Sequence, residues 1–262
     1  MTATDPWLTV ITVVRDDEQG FAQTAASVGK QSLAGVEWVV VDGSANRYSV
    51  PSIINSITTG IPQYIWQQPQ GIYTAMNQGI DHANGEYLFF ANAGDTFATH
   101  NVIAQLHEII KSVQPEWIVG LVEIEESSGH IVVSSQWDFA KERDHFFSRG
   151  LFAPHQGTVA RTSLVKECGG FDTTFDIAAD YLLFLRLSVA TQPFMTDLVI
   201  GRFVEGGVST KHWRKSFAEF HRARRQVFKL RGIESVREYR NTATHFTKVA
   251  SVKTLKRFGL FN

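Results

Sequence analysis

The chain has a single cysteine, Cys168, among 262 residues. That excludes an internal disulfide and a cysteine-rich zinc site, and it fits a reducing compartment. No run approaches the roughly eighteen continuous apolar residues of a spanning helix. No internal repeat or low-complexity tract is visible. No G-x-G-x-x-G follows the first strand, which weakens a dinucleotide-binding reading, and no G-x-x-x-x-G-K-[ST] marks a Walker-type ATPase. Neither H-E-x-x-H nor G-x-S-x-G occurs. The opening MTATDPWLTVITVVRDDE lacks a basic start and enters a strand almost at once, so a secretion signal is not expected and the expected location is the cytoplasm.

What is present describes a folded domain. The chain is 44% hydrophobic and 19% charged, which suits a packed core rather than disorder. The net charge of -1 hides an asymmetry: residues 211–262 hold fourteen Lys or Arg against three Glu, so the rest of the chain is acidic. A basic tail on an acidic body calls for a partner, either an anionic surface or the body itself.

Short apolar runs mark strands over Leu8–Val14, Val36–Val41, Gln63–Trp66, Tyr87–Asn92, Trp117–Ile124 and Phe194–Phe203. Gly129–Ser134 is expected to return beside Trp117–Ile124 across the Ser127-Ser128-Gly129 turn. Helical stretches lie between. One opens after Arg15-Asp16-Asp17-Glu18, with Phe21, Ala25, Val28 and Leu33 on its stripe. Others cover Ser52–Ile57, Gly71–Gly85 (Ile72, Met76, Ile80 and Ala83 inward), Asn101–Val113 and Ile177–Ala190. Residues 137–150 are poorly periodic, and Phe152–Gly157 precedes a strand or short helix. This alternation predicts an α/β fold with a mostly parallel central sheet flanked by helices. Residues 213–231 and 233–261 predict a C-terminal helical extension.

Three aspartates follow or open these elements. Asp42 ends the second strand. Asp95 closes EYLFFANAGD, just beyond a buried strand, where open α/β sheets bind ligands. Its alternative role is a turn or helix cap before Thr96-Phe97. Asp180 stands near a helix start, where an acid is also favourable for the dipole alone. In chemical terms, one carboxylate can hold a divalent ion beside a departing diphosphate. Another can accept from a base N–H, and a third, held apart from the metal, can deprotonate a sugar hydroxyl.

The blocks TVVRDD, VEWVVVDGS and GIYTAMNQGIDHANGEYLFFANAGD, then PHQG, GGFD, AADYLLFLRL and GGVST, resemble in order those of the family 2 glycosyltransferases with the GT-A fold. The likeness is strongest to the polysaccharide-biosynthesis branch of the colanic-acid type, and it spans about residues 8–210. It implies a GT-A type nucleotide-sugar-binding domain over 1–210, with a nucleotide half (about 1–98) and an acceptor half (about 99–210), followed by the basic extension 211–262. It implies an inverting, metal-dependent transfer from a UDP- or GDP-sugar to a glycan or lipid-linked acceptor, with Mn²⁺ or Mg²⁺ as cofactor. Carried over, Asp180 is the catalytic base and Asp95 the metal ligand. Asp42, Asn92 and Arg15 stand on the nucleotide side. His155, Gln156, Thr74 and Asn77 stand on the acceptor and diphosphate side. Relative to the family, Thr74 replaces an aspartate, Arg47 an acid, and Ala179 a glutamate. The alternatives are a nucleotidyltransferase or a noncatalytic sugar- or partner-binding relative on the same fold.

For the tail, the expectation is an interfacial helix that brings the enzyme to the inner face of the cell membrane without crossing it. Its alternative is packing of the apolar positions on the body or on a second copy in a homodimer. A histidine buried against a backbone carbonyl is the alternative for His155. The basic stretch has no recognition module for nucleic acid.

Overall fold

The computed structural model describes residues 6–32, 34–56, 61–135, 138–139, 154–207 and 211–257. The expectations for Leu33, Ile57, most of 137–150, Phe152, Ala153, residues 208–210 and the side chains from Val252 onward lie outside these residues.

Among the described residues nine strands form one sheet: β1 (Leu8–Val14), β2 (Val36–Asp42), β3 (Gln63–Trp66), β4 (Tyr87–Phe90), β5 (Thr96–Phe97), β6 (Trp117–Glu125), β7 (Ile131–Val133), β8 (Thr158–Arg161) and β9 (Phe194–Val204). Their order is β3-β2-β1-β4-β8-β6-β9-β5, with β7 on β6. The first four strands are parallel, as are β6 and β9. β8 runs antiparallel between β4 and β6, and β7 and β5 add antiparallel edges. The sheet is thus largely parallel. β5 is a departure: Thr96-Phe97 is not a helix cap but pairs with β9, and the next helix starts at Val102.

Helices α1 (Glu18–Gly29), α2 (Ser49–Ser56) and α4 (Val102–Val113) cover one face. On the other lie α3 (Ile72–His82), α5 (Thr162–Glu167), α6 (Ala179–Ala190) and α7 (Trp213–Phe228), with α8 (Gly232–Arg257) beyond. β1 shows why its sequence is apolar throughout. Every residue is buried, Ile11 and Val13 in one core layer and Leu8, Val10 and Val14 in the other. α6 is enclosed on most sides, with Tyr181 to Leu185 and Leu187 all buried, so no single stripe marks it. On α3, Met76 and Ile80 pack inward as expected, but Ile72 is 48% exposed and Tyr73 takes the inward place beside Phe171.

The first helix of the tail packs on the body. Ser216, Glu219, Ala223 and Arg224 of α7 are buried against α6. Arg224 donates to Tyr181 Oη (2.9 Å), Glu238 Oε1 (2.6 Å) and Thr242 Oγ1 (2.8 Å), which ties α8 to α7 and α6. The positive charge beside Tyr181 does not offset burial, which pushes its phenol up to about 12. Among the described residues no helix is long and apolar enough to cross a membrane.

Candidate active site

A cavity of about 770 Å³ opens at the C-terminal end of β4, where the chain leaves the sheet. The strand's hydrogen bonding to β1 continues past Phe90, since Ala91 N–H and Ala93 N–H still reach Ile11 O and Val13 O. Then the chain turns. Asp95 N–H donates to Asn92 O (2.9 Å), and Asp95 Oδ2 accepts from Asn92 N–H (2.9 Å). Gly94 takes φ of 95°, a conformation that a side chain would strain. From α1, the fully buried Thr24 locks this turn: its hydroxyl donates to Asp95 O (2.7 Å) and accepts from Gly94 N–H (3.1 Å). Asp95 therefore closes a turn and is not a helix cap.

The opposite wall is the short helical turn His155–Gly157, set down on β9 and β6. A Cβ on Gly201 would stand 2.4 Å from Gln156 O, so only glycine lets the turn lie this low. Gln156 Nε2 donates to Asp95 Oδ1 at 3.0 Å. The third wall is the start of α6. Asp180 Oδ1 accepts from Tyr181 N–H (2.8 Å) and lies 3.4 Å from Tyr73 Oη, whose proton goes to Ile177 O at 2.5 Å. Burial and the charge of Asp180 raise the Tyr73 phenol, so it stays a neutral donor.

His155 stands between the two carboxylates, with Nε2 3.5 Å from Asp95 Oδ2 and Nδ1 3.9 Å from Asp180 Oδ2. It is not the backbone-bonded histidine of the alternative reading. Burial alone would lower its pKa. Hydrogen bonding to Asp180 and Asp95, and the charge of both, outweigh burial and push the ring up to about 9. The ring is an imidazolium at neutral pH.

The cavity wall is otherwise acidic. Asp17, Asp95, Asp176, Asp180 and Glu205 line it, with no Lys or Arg among the described residues. A diphosphate entering such a site needs more positive charge than one imidazolium. The Asn92 amide nitrogen lies 3.2 Å from His155 Nε2, leaving Asn92 Oδ1 buried without a partner. A bare carbonyl oxygen among carboxylates suits a cation, either Nε2–H of His155 when the amide turns end for end, or a divalent ion. Among the described residues no three His, Cys, Asp or Glu side chains form a metal cage. Asp95 and Asn92 thus fit a metal that takes the rest of its ligands from a diphosphate and water.

The other expected residues do not face this cavity. Asp42 is fully buried: Oδ1 accepts from Ser44 N–H (2.7 Å) and Oδ2 from Tyr64 Oη–H (2.8 Å). With both oxygens engaged and no exposed surface, it shapes the loop after β2 rather than meeting a base directly. It still lies on the same sheet edge as Asp95, since β2 and β4 flank β1 at two strand spacings, about 10 Å. Arg15 is exposed beside Asp16 and off the cavity wall. Thr74 Oγ1 turns back to Gln70 O, and Asn77 clamps the backbone of Phe171 through both side-chain atoms (2.7 and 2.9 Å). Neither is among the residues that line the cavity, where α3 presents Ile72 and Tyr73. Thr24, Tyr73, Asp17 and Glu205 went unmarked in the sequence. Tyr73 carried a signal inside the GIY block and Asp17 inside the TVVRDD block, whereas Thr24 and Glu205 reach the site through long-range packing.

Sheet order, strand-end site and acidic cleft define a GT-A-type nucleotide-sugar-binding enzyme fold. The description "Glycosyl transferase family 2" matches residues 9–169, and the chain belongs to that family. An uncharacterized glycosyltransferase of Mycobacterium tuberculosis is 31% identical over 212 residues, 78% of each chain. A PGL/p-HBAD biosynthesis glycosyltransferase of Mycobacterium bovis is 25% identical over 162 residues, 59% of each. Among solved structures, S. aureus TarS 1-349 in complex with UDP-GlcNAc superimposes with a TM-score of 0.65 at 15% identity, over 91% of this chain and 71% of that one. The chain spans 42% of the longer TarS chain. A mannosyltransferase, PcManGT from Pyrobaculum calidifontis, in complex with GDP-Man and Mn²⁺, gives 0.58 at 16% identity, over 98% and 80%.

The raised pKa of His155 has a direct consequence. Its contribution to stability is complete below about pH 6.5, the unfolded value, and is lost as pH rises through about 9. Urea midpoints should fall between pH 6 and pH 10 by the equivalent of up to about 3 kcal/mol, and this fall should shrink in His155→Gln. An equal fall in both proteins would place the titration elsewhere.

Proposed function

We propose that the chain is an inverting glycosyltransferase of cell-surface polysaccharide biosynthesis, of the colanic-acid-type branch. It moves a sugar from a UDP- or GDP-sugar to a hydroxyl of a glycan or lipid-linked acceptor. The observation that carries this reading is that Asp95 and Asp180 face one cavity, each within ion-pair reach of the same imidazole. A noncatalytic relative has no need to hold two acids there against their repulsion. A nucleotidyltransferase needs a glycine-rich, lysine-containing phosphate loop, and among the described residues this wall has no Lys or Arg.

In this reading Asp95 and Asn92 Oδ1 hold Mn²⁺ or Mg²⁺, which when bound neutralises charge on the departing diphosphate. The manganese in the PcManGT complex supports the choice of metal. The loops after β1 and β2 hold the nucleotide base. Asp16 N–H donates to Ser44 Oγ and Ala45 N–H to Asp16 Oδ1, while Arg47 stacks 3.4 Å over Trp66, giving the base a rigid rim. Asp180 Oδ1 accepts from Tyr181 N–H, and Oδ2, 3.9 Å from His155 Nδ1, takes the proton of the acceptor hydroxyl as it attacks the anomeric carbon from the side away from the diphosphate. One displacement inverts that centre. His155 keeps the base and the metal ligand apart and screens each from the other.

Asp180→Asn should retain UDP binding in the presence of Mn²⁺, read by calorimetry, and lose sugar transfer by about 100-fold or more. Donors are found by nucleotide release from a panel of UDP-, GDP- and dTDP-sugars. Transfer within a few-fold of wild type would remove Asp180 from the role.

The tail supplies a second contact, an anionic membrane surface that carries the lipid-linked acceptor. At the elbow between α7 and α8, a cavity of about 460 Å³ is lined by Arg222, Arg225, Lys229 and Arg231. Just beyond it α8 exposes Ile233, Val236 and Tyr239 (67–69%), spaced three apart so that they share a face. A positive hollow beside an apolar stripe suits lipid phosphates and the upper acyl region, at about 1 kcal/mol per Lys or Arg at the surface. The full chain should sediment with phosphatidylglycerol vesicles at low salt, ignore phosphatidylcholine vesicles, and release at high salt. Replacing Ile233, Val236 and Tyr239 by Ser should weaken the attachment. A chain that ignores anionic vesicles would make the stripe a packing face, such as a homodimer contact visible by sedimentation.

A further inference from the structure

We propose that Glu219, on α7, is a positioning residue for the base, so that the C-terminal helix belongs to the catalytic apparatus. The proposal rests on the assignment of Asp180 as that base.

The segment before α6 reads Asp176-Ile177-Ala178-Ala179-Asp180. Its N-cap residue is Ala178, which has no side chain to cap with. Backbone N–H groups at a helix entrance need partners. Here a carboxylate comes from another helix: Glu219 accepts from Ile177 N–H (2.9 Å), Ala178 N–H (2.9 Å) and Asp176 N–H (3.2 Å). Glu219 is buried, so these are charge-assisted bonds in a screened place, and its negative charge suits the positive end of α6.

The Ile177 peptide unit is the hub. Its residue is held at N–H by Glu219 and at C=O by Tyr73 Oη. Tyr73 also faces Asp180 Oδ1. Asp180 lies three residues further on, so the direction of its carboxylate toward His155 follows from how this entrance is pinned. α7 reaches the cavity independently. Phe220, next to Glu219, lines the cavity and packs its ring 4.6 Å from that of Tyr181. Removing the Glu219 carboxylate leaves three N–H groups unpaired and frees the entrance to turn, and misplacement of a reacting group by about 1 Å can cost about 100-fold in rate.

The test compares wild type, Glu219→Ala, Glu219→Gln and Asp180→Asn, with Glu219→Ala also placed in the Asp180→Asn background. Turnover is nucleotide release with water as acceptor, from whichever of UDP-GlcNAc, UDP-glucose and GDP-mannose the wild type uses. UDP affinity with Mn²⁺ is read by calorimetry. Amide exchange at 176–178 is measured alongside. Glu219→Ala should lower kcat about 10- to 100-fold with donor KM and UDP affinity within about twofold. Glu219→Gln, which keeps one acceptor oxygen and folds more readily, should lose less. In the Asp180→Asn background Glu219→Ala should change little, because the base it positions is gone. Exchange at 176–178 should quicken while α3 stays protected. Unchanged kcat, an equal loss in both backgrounds, or unchanged exchange overturns the proposal. If Asp180→Asn itself leaves turnover intact, the base assignment fails. If Asp180→Asn is inactive and Glu219→Ala is not, only the positioning role fails.

Discussion

The structure depends on one cation held between two acids. Asp95 and Asp180 come from distant parts of the chain, one after β4 and the other on α6, and both turn into the same cavity. Left alone they would repel each other in a partly buried site. The His155 imidazolium meets both, and its raised pKa is the measure of how strongly the pair holds the proton. Other features serve that arrangement. Gly201 gives the His155 turn room to sit low on the sheet. Thr24 fixes the backbone of the Asp95 turn, and Gln156 fixes one of its oxygens.

The same constraint explains the chemistry of the cleft. Five carboxylates, with no Lys or Arg among the described residues, make a poor welcome for a diphosphate. A metal ion beside Asp95 would correct the charge when the donor is present, so metal and donor are expected to enter together. His155 would then be the fixed part of the positive charge and the metal the exchangeable part.

Much of this was legible in the sequence. The β-branched runs of β1 and β2 marked their strands to within a residue, because burial on both faces along most of their length leaves few polar positions to blur the signal. Asp95 and Asp180 stand out in the sequence by their places at a strand end and a helix start, His155 and Gln156 by resemblance alone, and all four line one cavity. Other expected residues lie off the cavity wall for local geometric reasons. Asp42 stands at a strand end, as expected, but Tyr64 on the neighbouring strand and the Ser44 amide seal it. Asn77 and Thr74 share a helix with Tyr73 but not its face. β5 is two residues long, too short for any period to show. For the tail the alternative of packing on the body describes α7, whose Ala223, Phe220, Val227 and Phe228 lie against the core beside the buried Glu219 and Arg224, two polar contacts that the apolar pattern did not mark.

The most direct test of the account is a crystal structure with Mn²⁺ and a non-hydrolysable UDP- or GDP-sugar, with the metal located by its anomalous signal. The account predicts manganese beside Asp95 and Asn92 Oδ1, coordinated by the diphosphate. It also predicts the anomeric carbon between that diphosphate and Asp180 Oδ2, with His155 still near both acids. Manganese bound away from Asp95, or a donor whose anomeric carbon faces away from Asp180, would contradict it.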